Sequence, residues 1–429
     1  MFGFANFLLL ALFAAAVFDL IFALARGGGL RGALHGLWNT PHLLFGQQLA
    51  EWRLQLGRIL FAAGLAAYEI SVVFCNSMAR QNWAWVQGVM SPVLEWLAFL
   101  CFGAKILFGT RYTWRELLAG GALYFIARWV YFNSQNIWWI GIVVAVLAAK
   151  DVSLRRPLQV YFASGCAAMT VVLALHFAGI VAPDLTSERM GALRGTYGYG
   201  HPNTFGGLVF GLVLAYALLR AQKVRWVDCL LVFAVGVFLL VGPASRSAAL
   251  CTLALAVGLV FCRLRAGYSV PRWWPGTCAG MVGLTAAVSY LLPLLVIKVG
   301  PWNNDIGPAW LAKLDSLLTC RISLTWMAYR LLDVKIAGQV FNWPTVDNSF
   351  AFALFQFGPV VAALLGILFA AALWGHAKQG RRVEVCCLFA MLAYAYMEVQ
   401  PFHLTTNPTA LLLCGAVFAQ TSARWQKIE

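Results

Sequence analysis

The sequence has few charged residues for its length. Only 11% of its 429 residues are charged, whereas 62% are hydrophobic, and the mean hydropathy is +0.77. A soluble globular chain is about a quarter charged, so this composition excludes that class and indicates an integral membrane protein. Among the charged residues, the acidic ones are the fewer, with 16 against 31 basic residues. The formal net charge is therefore +15.

The sequence also lacks the usual motifs for metals, nucleotides and disulfides. No Cys/His spacing resembles a zinc site, and no acidic run resembles a calcium loop. There is no Walker-type phosphate loop and no glycine-rich dinucleotide fingerprint. Most of the 11 cysteines fall inside apolar runs, so a disulfide framework is not expected. We therefore expect no metal and no cofactor, and the energy for any reaction must come with the substrate or from a gradient.

Apolar runs long enough to cross a bilayer recur along the whole chain. They fall at 2–25, 57–76, 84–108, 116–132, 135–149, 158–183, 202–220, 227–243, 246–262, 277–297, 348–374, 383–400 and 404–422. This pattern predicts an all-α polytopic membrane bundle with about 12–13 transmembrane helices, forming a single domain over 1–429. A long loop, 298–347, interrupts the pattern. Leucines at helical spacing predict amphipathic helices within it, over 309–333.

The basic residues are distributed unevenly between the two sides of this predicted bundle. Alternate assignment of the loops puts 21 of the 31 on one side and only four in the short loops of the other: Arg80, Arg189, Arg194 and Arg246. Because cytoplasmic loops carry the excess of Lys and Arg, the first side and the C-terminus are predicted to be cytoplasmic. The N-terminus and the loop 298–347 are then outside. The positive charge reflects topology, so nucleic acid is not an expected partner.

The stretch GALRGTYGYGHPNTFGGLVFG, at 191–211, is the most informative of the outer segments. Pro202 suits the first position of a helix, and the residue before a proline is extended, so His201 should lie at the helix mouth. The first-turn amides, from Asn203 onwards, would then face water at the positive end of the helix dipole, where phosphate binds readily. The alternative is a glycine-rich turn that merely leads into a membrane helix.

Three further outer segments carry polar residues. The turn at 242–248 puts Arg246 at the membrane surface, where it either snorkels or contacts phosphate. The long loop contains Arg321 and ends in Asp347–Asn348, where the aspartate is either a base or a helix N-cap. The turn at 398–408 contains Glu398, His403 and Asn407, and is either an acid/base pair or a polar turn between helices.

The string GYGHPNTFG resembles a signature of the Wzy-like polymerases, bacterial surface-polysaccharide polymerases related to the O-antigen ligases. The segments at 242–248, 321–326, 342–350 and 398–408 resemble the same family in the same order. O-antigen ligases tend to carry a histidine before the asparagine of the loop, taken as their general base. This chain has Asp347 there and no histidine anywhere in the loop, which favours a polymerase over a ligase.

The resemblance implies a metal-independent membrane glycosyltransferase on the outer face of the bacterial plasma membrane. Its donor and acceptor would be repeat units linked to undecaprenyl diphosphate, with a flippase and a chain-length regulator as accessory partners. By position in the motifs, catalysis would fall to Asp347 and His201. Binding of the donor pyrophosphate would fall to Arg194, Arg246, Arg321 and Asn203, and supporting contacts to Asn348, Glu398, His403 and Asn407.

Two other functions stay open at this point. One is a ligase that moves finished glycan to a terminal acceptor. The other is a transporter of polysaccharide or lipid-linked oligosaccharide, which would use intramembrane charges such as Asp19, Glu69, Glu95 and Arg128 in a proton relay. The sequence shows no inverted repeat. The alternative to a proton relay is that those four charged residues form internal ion pairs.

Overall fold

The computed structural model describes residues 2–25, 29–44, 50–181, 187–189, 192–265, 267, 269–296 and 307–418. Helix accounts for 77% of the structure, which confirms the mostly helical class. The α-helices of the described residues are α1 Phe2–Ala25, α2 Gly29–Asn39, α3 Ala50–Cys75, α4 Ala79–Asn82, α5 Ser91–Phe108, α6 Trp114–Ser134, α7 Ile137–Ala148, α8 Arg155–Phe177, α9 Pro202–Leu219, α10 Trp226–Val241, α11 Arg246–Leu264, α12 Trp274–Leu291, α13 Ala309–Leu317, α14 Arg321–Leu331, α15 Ser349–Phe352, α16 Pro359–Lys378, α17 Arg382–Met397 and α18 Cys414–Val417.

The β-strands of the described residues form two short antiparallel pairs, beside an isolated β-bridge between Ser77 and Tyr199. Strand β1, His42–Leu43, pairs with β2, Arg111–Tyr112. Strand β3, Ser187–Arg189, pairs with β4, Ala192–Arg194, and Ser187 lies opposite Arg194. The second pair lies just ahead of α9 and delivers Arg194 to the start of that helix.

Eight helices of the described residues are long and apolar enough to cross a membrane. They are Asn6–Ala25, Glu51–Cys75, Val86–Phe108, Arg155–Phe177, Pro202–Leu219, Arg246–Leu264, Trp274–Leu295 and Pro359–Lys378. Three shorter apolar helices, Ile137–Ala148, Trp226–Val241 and Pro408–Val417, coincide with other predicted spans. These eight helices are compatible with a multi-pass membrane protein, and the finer count of 12–13 stays a prediction.

The outer surfaces of these helices are apolar. On α1, Phe7, Leu10 and Phe13 are 62%, 67% and 71% exposed, and only 22% of its most apolar window is buried. A water-soluble surface rarely shows a continuous apolar band of this kind, whereas a lipid-facing one requires it. Inside the bundle, one hydrophobic cluster runs from Phe4 on α1 to Phe418 beyond α18.

Two glycines of α9 bring the turn at 398–407 against that helix. A Cβ added at Gly207 would lie 1.8 Å from Gln400 Oε1, and one at Gly211 would lie 2.5 Å from the carbonyl oxygen of Thr405. Any larger residue at either position would push the turn away from the helix. The glycines after the His-Pro-Asn motif are therefore packing residues that set the position of Glu398 relative to Asn203.

The predicted span 348–374 differs from the structure, because the helix is broken. Helix α15 is followed by a short π-helix at Ala353–Phe357. Gly358 then adopts φ +88°, and the membrane-length helix α16 begins only at Pro359. Proline cannot donate the next helical hydrogen bond and glycine accepts the positive φ, so the pair Gly358–Pro359 separates the two helices. The short α15 then packs against α12 and α17.

The helix or pair of helices predicted over 309–333 is present as two helices, α13 and α14, joined through Thr319 and Cys320. Asp315 holds the junction, because its Oδ1 accepts from the backbone N–H of Ile322 at 2.8 Å and of Ser323 at 3.2 Å. These contacts fix the first turn of α14, where Arg321 lies.

Two of the predicted intramembrane charges have polar partners. Asp19 lies 3.3 Å from His42, and Arg128 donates from Nε to Asn6 at 2.8 Å. The contact of Asp19 with His42 agrees with the interpretation of these charges as internal ion pairs, whereas the partner of Arg128 is the uncharged amide of Asn6.

Candidate functional site

The side chain of Glu398 joins three separate segments of the chain. Glu398 follows the last residue of α17 in an extended conformation and is only 4% exposed. Its Oε1 accepts hydrogen bonds from Arg321 Nη2 at 2.5 Å, Ser247 Oγ at 2.8 Å and Asn203 Nδ2 at 3.1 Å. The donors come from the first turns of α14, α11 and α9. Segments up to 195 residues apart in sequence therefore meet at one carboxyl group.

Burial raises the pKa of the Glu398 carboxyl to about 7, although the charge of Arg321 and the hydrogen bond from Ser247 act in the opposite direction. A carboxyl group with such a pKa changes its protonation state near neutral pH. Perturbed carboxyl groups of this kind are concentrated at functional sites.

The guanidinium of Arg321 is buried within the same cluster. Its Nε donates to the carbonyl oxygen of Met397, and its Nη1 donates to the carbonyl oxygen of Leu318 at 3.0 Å. The Nε atom also lies 4.0 Å from Asp347 Oδ2. Arg321 therefore holds the end of α17 and faces two carboxylates, Glu398 and Asp347.

Asn203, on the first turn of α9, connects Glu398 to Arg194. Its Oδ1 accepts from Arg194 Nη2 at 2.9 Å, while its Nδ2 donates to Glu398. Arg194 is only 6% exposed, and its Nη2 also lies 3.2 Å from the carbonyl oxygen of Ala244. The hairpin β3–β4, the start of α9 and the turn before α11 are thereby tied together.

His201 lies at the mouth of α9, as the following proline predicts. Its backbone is extended, with φ −154° and ψ 141°, and its Nδ1 accepts from the backbone N–H of Asn203 at 3.1 Å. The N–H groups of Thr204 and Phe205 donate to the His201 carbonyl oxygen. The first-turn amides are thus engaged by His201, and the exposed imidazole ring is the group that this helix start presents to the outside.

Asp347 and Asn348 have different environments although they are neighbours. Asn348 is the N-cap of α15: its Oδ1 accepts from the N–H groups of Phe350 and Ala351 at 2.9 and 3.1 Å. Its Nδ2 donates to the carbonyl oxygen of Tyr396 at 3.1 Å. Asp347 is therefore not the cap, and its carboxylate, 31% exposed, lies at the edge of the cluster beside Arg321.

Arg246 occupies the first position of α11, where its side chain is exposed. The residues on either side of it, Ser245 and Ser247, are buried, and Ser247 donates to Glu398. Among the three arginines predicted to bind pyrophosphate, Arg246 is thus exposed, whereas Arg194 and Arg321 are buried in contacts with the protein.

His403 and Asn407 shape the turn that follows Glu398. The ring of His403 packs on Trp138 with 3.8 Å between ring centroids, and burial lowers its pKa to about 3, so the ring is neutral. Asn407 Nδ2 donates to the carbonyl oxygen of Pro401 at 2.9 Å, and its Oδ1 accepts from the N–H of Ala410. Both residues therefore support the turn.

Three members of the cluster were not among the predicted site residues. Ser247 donates to Glu398, Ser349 Oγ donates to the Glu398 carbonyl oxygen at 2.5 Å, and Gln400 Nε2 donates to the Asn203 carbonyl oxygen at 3.2 Å. All three stand inside or beside the predicted motifs. The signal that could have identified them in the sequence was a polar side chain next to the start of a helix.

An apolar cavity of about 90 Å³ lies next to this polar cluster. Ser349 and Pro401 line the end nearest Glu398, and the walls come from α7, α12, α16 and α17, through residues such as Ile142, Val282, Leu365 and Leu392. A polar cluster and an apolar cavity thus adjoin across Ser349.

Among the described residues, no group of three His, Cys, Asp or Glu side chains is arranged to hold a metal ion. No protein-family model, curated protein or solved structure matches this chain. The resemblance noted in the sequence therefore depends on the quoted segments alone.

Proposed function

We propose that the chain polymerises oligosaccharide repeat units linked to a polyprenyl diphosphate, on the outer face of the bacterial plasma membrane. The observation that carries the proposal is the convergence on Glu398 Oε1 of Asn203, Ser247 and Arg321. Each of these residues belongs to a different one of the segments that resemble the Wzy-like polymerases.

In this proposal Asp347 accepts the proton of the acceptor hydroxyl. It is the carboxylate of the cluster that is partly exposed, so an incoming sugar reaches it more readily than it reaches the buried Glu398. The hydroxyl oxygen forms the new bond to the anomeric carbon of the donor, and the bond from that carbon to the pyrophosphate oxygen breaks. Arg321, 4.0 Å away, holds Asp347 in place.

The negative charge that develops on the departing pyrophosphate requires positive groups at the same face. Arg246 is exposed beside the cluster and is the direct contact in this proposal, since a guanidinium donates to phosphate oxygens in a bidentate fork. His201 is a second donor, through its Nε2. The buried Arg194 and Arg321 add positive charge to the same cluster. Arg194 holds Asn203 in position, and Arg321 holds Glu398.

The apolar cavity beside Ser349 supports a lipid-linked substrate. A donor whose diphosphate lies at the polar cluster has its hydrocarbon chain directed into the bundle or into the bilayer, and the cavity provides apolar surface for it. The eight apolar helices are compatible with a protein that meets such a substrate in the membrane.

Deletion of the gene, followed by analysis of lipid-linked glycan, tests the proposal. A polymerase defect leaves single repeat units on the lipid, and complementation with Asp347→Asn leaves the same material while the protein is still produced. Accumulation of finished long chains on the lipid would instead indicate a ligase. Unchanged lipid-linked glycan, or repeat units trapped on the cytoplasmic side, would contradict the proposal and point to transport.

A further inference from the structure

A second pocket lies at the opposite ends of the helices that form the Glu398 cluster. Ser247 lies in the first turn of α11 and Glu398 follows α17, whereas this pocket is built from the end of α11, the start of α12 and the start of α17. Arg382 is the first of the 16 residues of α17, so it lies about 24 Å along the helix from Glu398. The pocket therefore belongs to the other membrane face, the predicted cytoplasmic side.

The pocket combines an apolar wall with two arginines. It has a volume of about 400 Å³ and is lined by Phe261, Arg265, Ser269, Val270, Pro271, Trp273, Trp274, Arg382, Val385, Cys386 and Phe389. Arg382 Nη1 donates to the carbonyl oxygen of Arg265, and the Arg265 guanidinium lies 5.8 Å above the ring of Phe261. The side chain of Arg382 thus contacts the backbone of Arg265, and both residues belong to the lining of the pocket.

The surroundings of the pocket are strongly basic. Arg263, Arg272 and Arg381 lie within two residues of lining residues in the chain. Within 261–274 and 378–389 the sequence contains a single acidic residue, Glu384, which is only 7% exposed. The tryptophans Trp273 and Trp274 are typical of the level of the lipid headgroups.

We propose that this pocket binds an anionic phospholipid of the cytoplasmic leaflet. Its phosphate would lie at Arg265 and Arg382, and an acyl chain would lie along Phe261, Val385 and Phe389. Basic pockets between helices on the cytoplasmic side have the charge and depth that such headgroups require. Neither a free phosphate nor a neutral lipid matches both features, because a free phosphate has no apolar part for the wall and a neutral lipid has no net negative charge for the basic surroundings.

Lipid binding to the purified full-length chain tests the proposal, with phosphatidylglycerol and phosphatidylcholine of identical acyl chains as probes. Native mass spectrometry after delipidation should show preferential retention of phosphatidylglycerol. The double variant Arg265→Gln/Arg382→Gln should weaken it by about 30-fold, the loss expected from two charges near an anionic headgroup. The matched control Arg155→Gln/Arg156→Gln removes two exposed arginines of the same predicted side and should change nothing.

A second variant keeps Arg382 in place, in case its loss destabilises the chain. Ser269→Glu adds a negative charge to the lining and should also weaken binding of phosphatidylglycerol but not of phosphatidylcholine. Equal retention of the two lipids, equal losses in the control variant, or competition by inorganic phosphate as effective as by phosphatidylglycerol would overturn the proposal. Because the assay measures binding only, its result is independent of whether the chain is a polymerase.

Discussion

Replacing Glu398 by glutamine should change how the stability of the protein depends on pH. The pKa of this carboxyl is raised by burial from 4.5 to about 7, so between these values the folded state binds more protons than the unfolded state. The contribution of this carboxyl to the free energy of unfolding is therefore complete below pH 4.5, and it is lost as the pH rises to 7. At about 1.4 kcal/mol per pKa unit, the loss amounts to about 3 kcal/mol.

Glutamine keeps the shape of the side chain and does not titrate, so the Glu398→Gln variant should lack this loss. Thermal unfolding in detergent at pH 5, 6, 7 and 8 measures the effect as the difference between variant and wild type. The variant should gain stability relative to wild type as the pH rises. Glu51→Gln, at an exposed position, should follow the wild-type profile. Parallel profiles for Glu398→Gln and wild type would show that folding does not raise the pKa of Glu398.

Three further predictions concern activity and topology. Arg246→Lys keeps a point charge but loses the bidentate fork, so polymer should fall at least about tenfold with normal protein levels; unchanged polymer would exclude Arg246 as the phosphate contact. Asp347→Asn should abolish polymer, because the base is lost, whereas His201→Gln should leave a weak product; the reverse result would make His201 the base. A membrane-impermeant thiol reagent should label cysteine at position 326 but not at 223 in intact cells, and the opposite pattern would invert the topology.

Much of the local structure could be predicted from short-range rules. The steric effect of Pro202 on the preceding residue predicts the extended His201 and the start of α9, and both are confirmed. Leucine spacing predicts helical structure in the long loop, where α13 and α14 lie, and apolar run length predicts the eight long helices. These features depend on residues a few positions apart, so a linear pattern contains the necessary information.

The long-range contacts were not predictable in the same way. Nothing local to Glu398 indicates that donors 77, 151 and 195 residues away meet at one of its oxygens, nor that the resulting burial raises its pKa. The engagement of the first-turn amides of α9 by His201 also depends on the conformation of that side chain. The helix break at Gly358 was missed because the predicted span is apolar on both sides of it. The Gly-Pro pair in the sequence was a signal for this break.

The most direct test of polymerase activity is the reaction of the purified protein with a synthetic polyprenyl-diphosphate-linked repeat unit. The proposed function predicts a ladder of lipid-linked products that grow by one repeat unit at a time, formed by the wild-type chain and absent with Asp347→Asn. A donor that stays at one repeat unit with the folded wild-type protein would contradict the account.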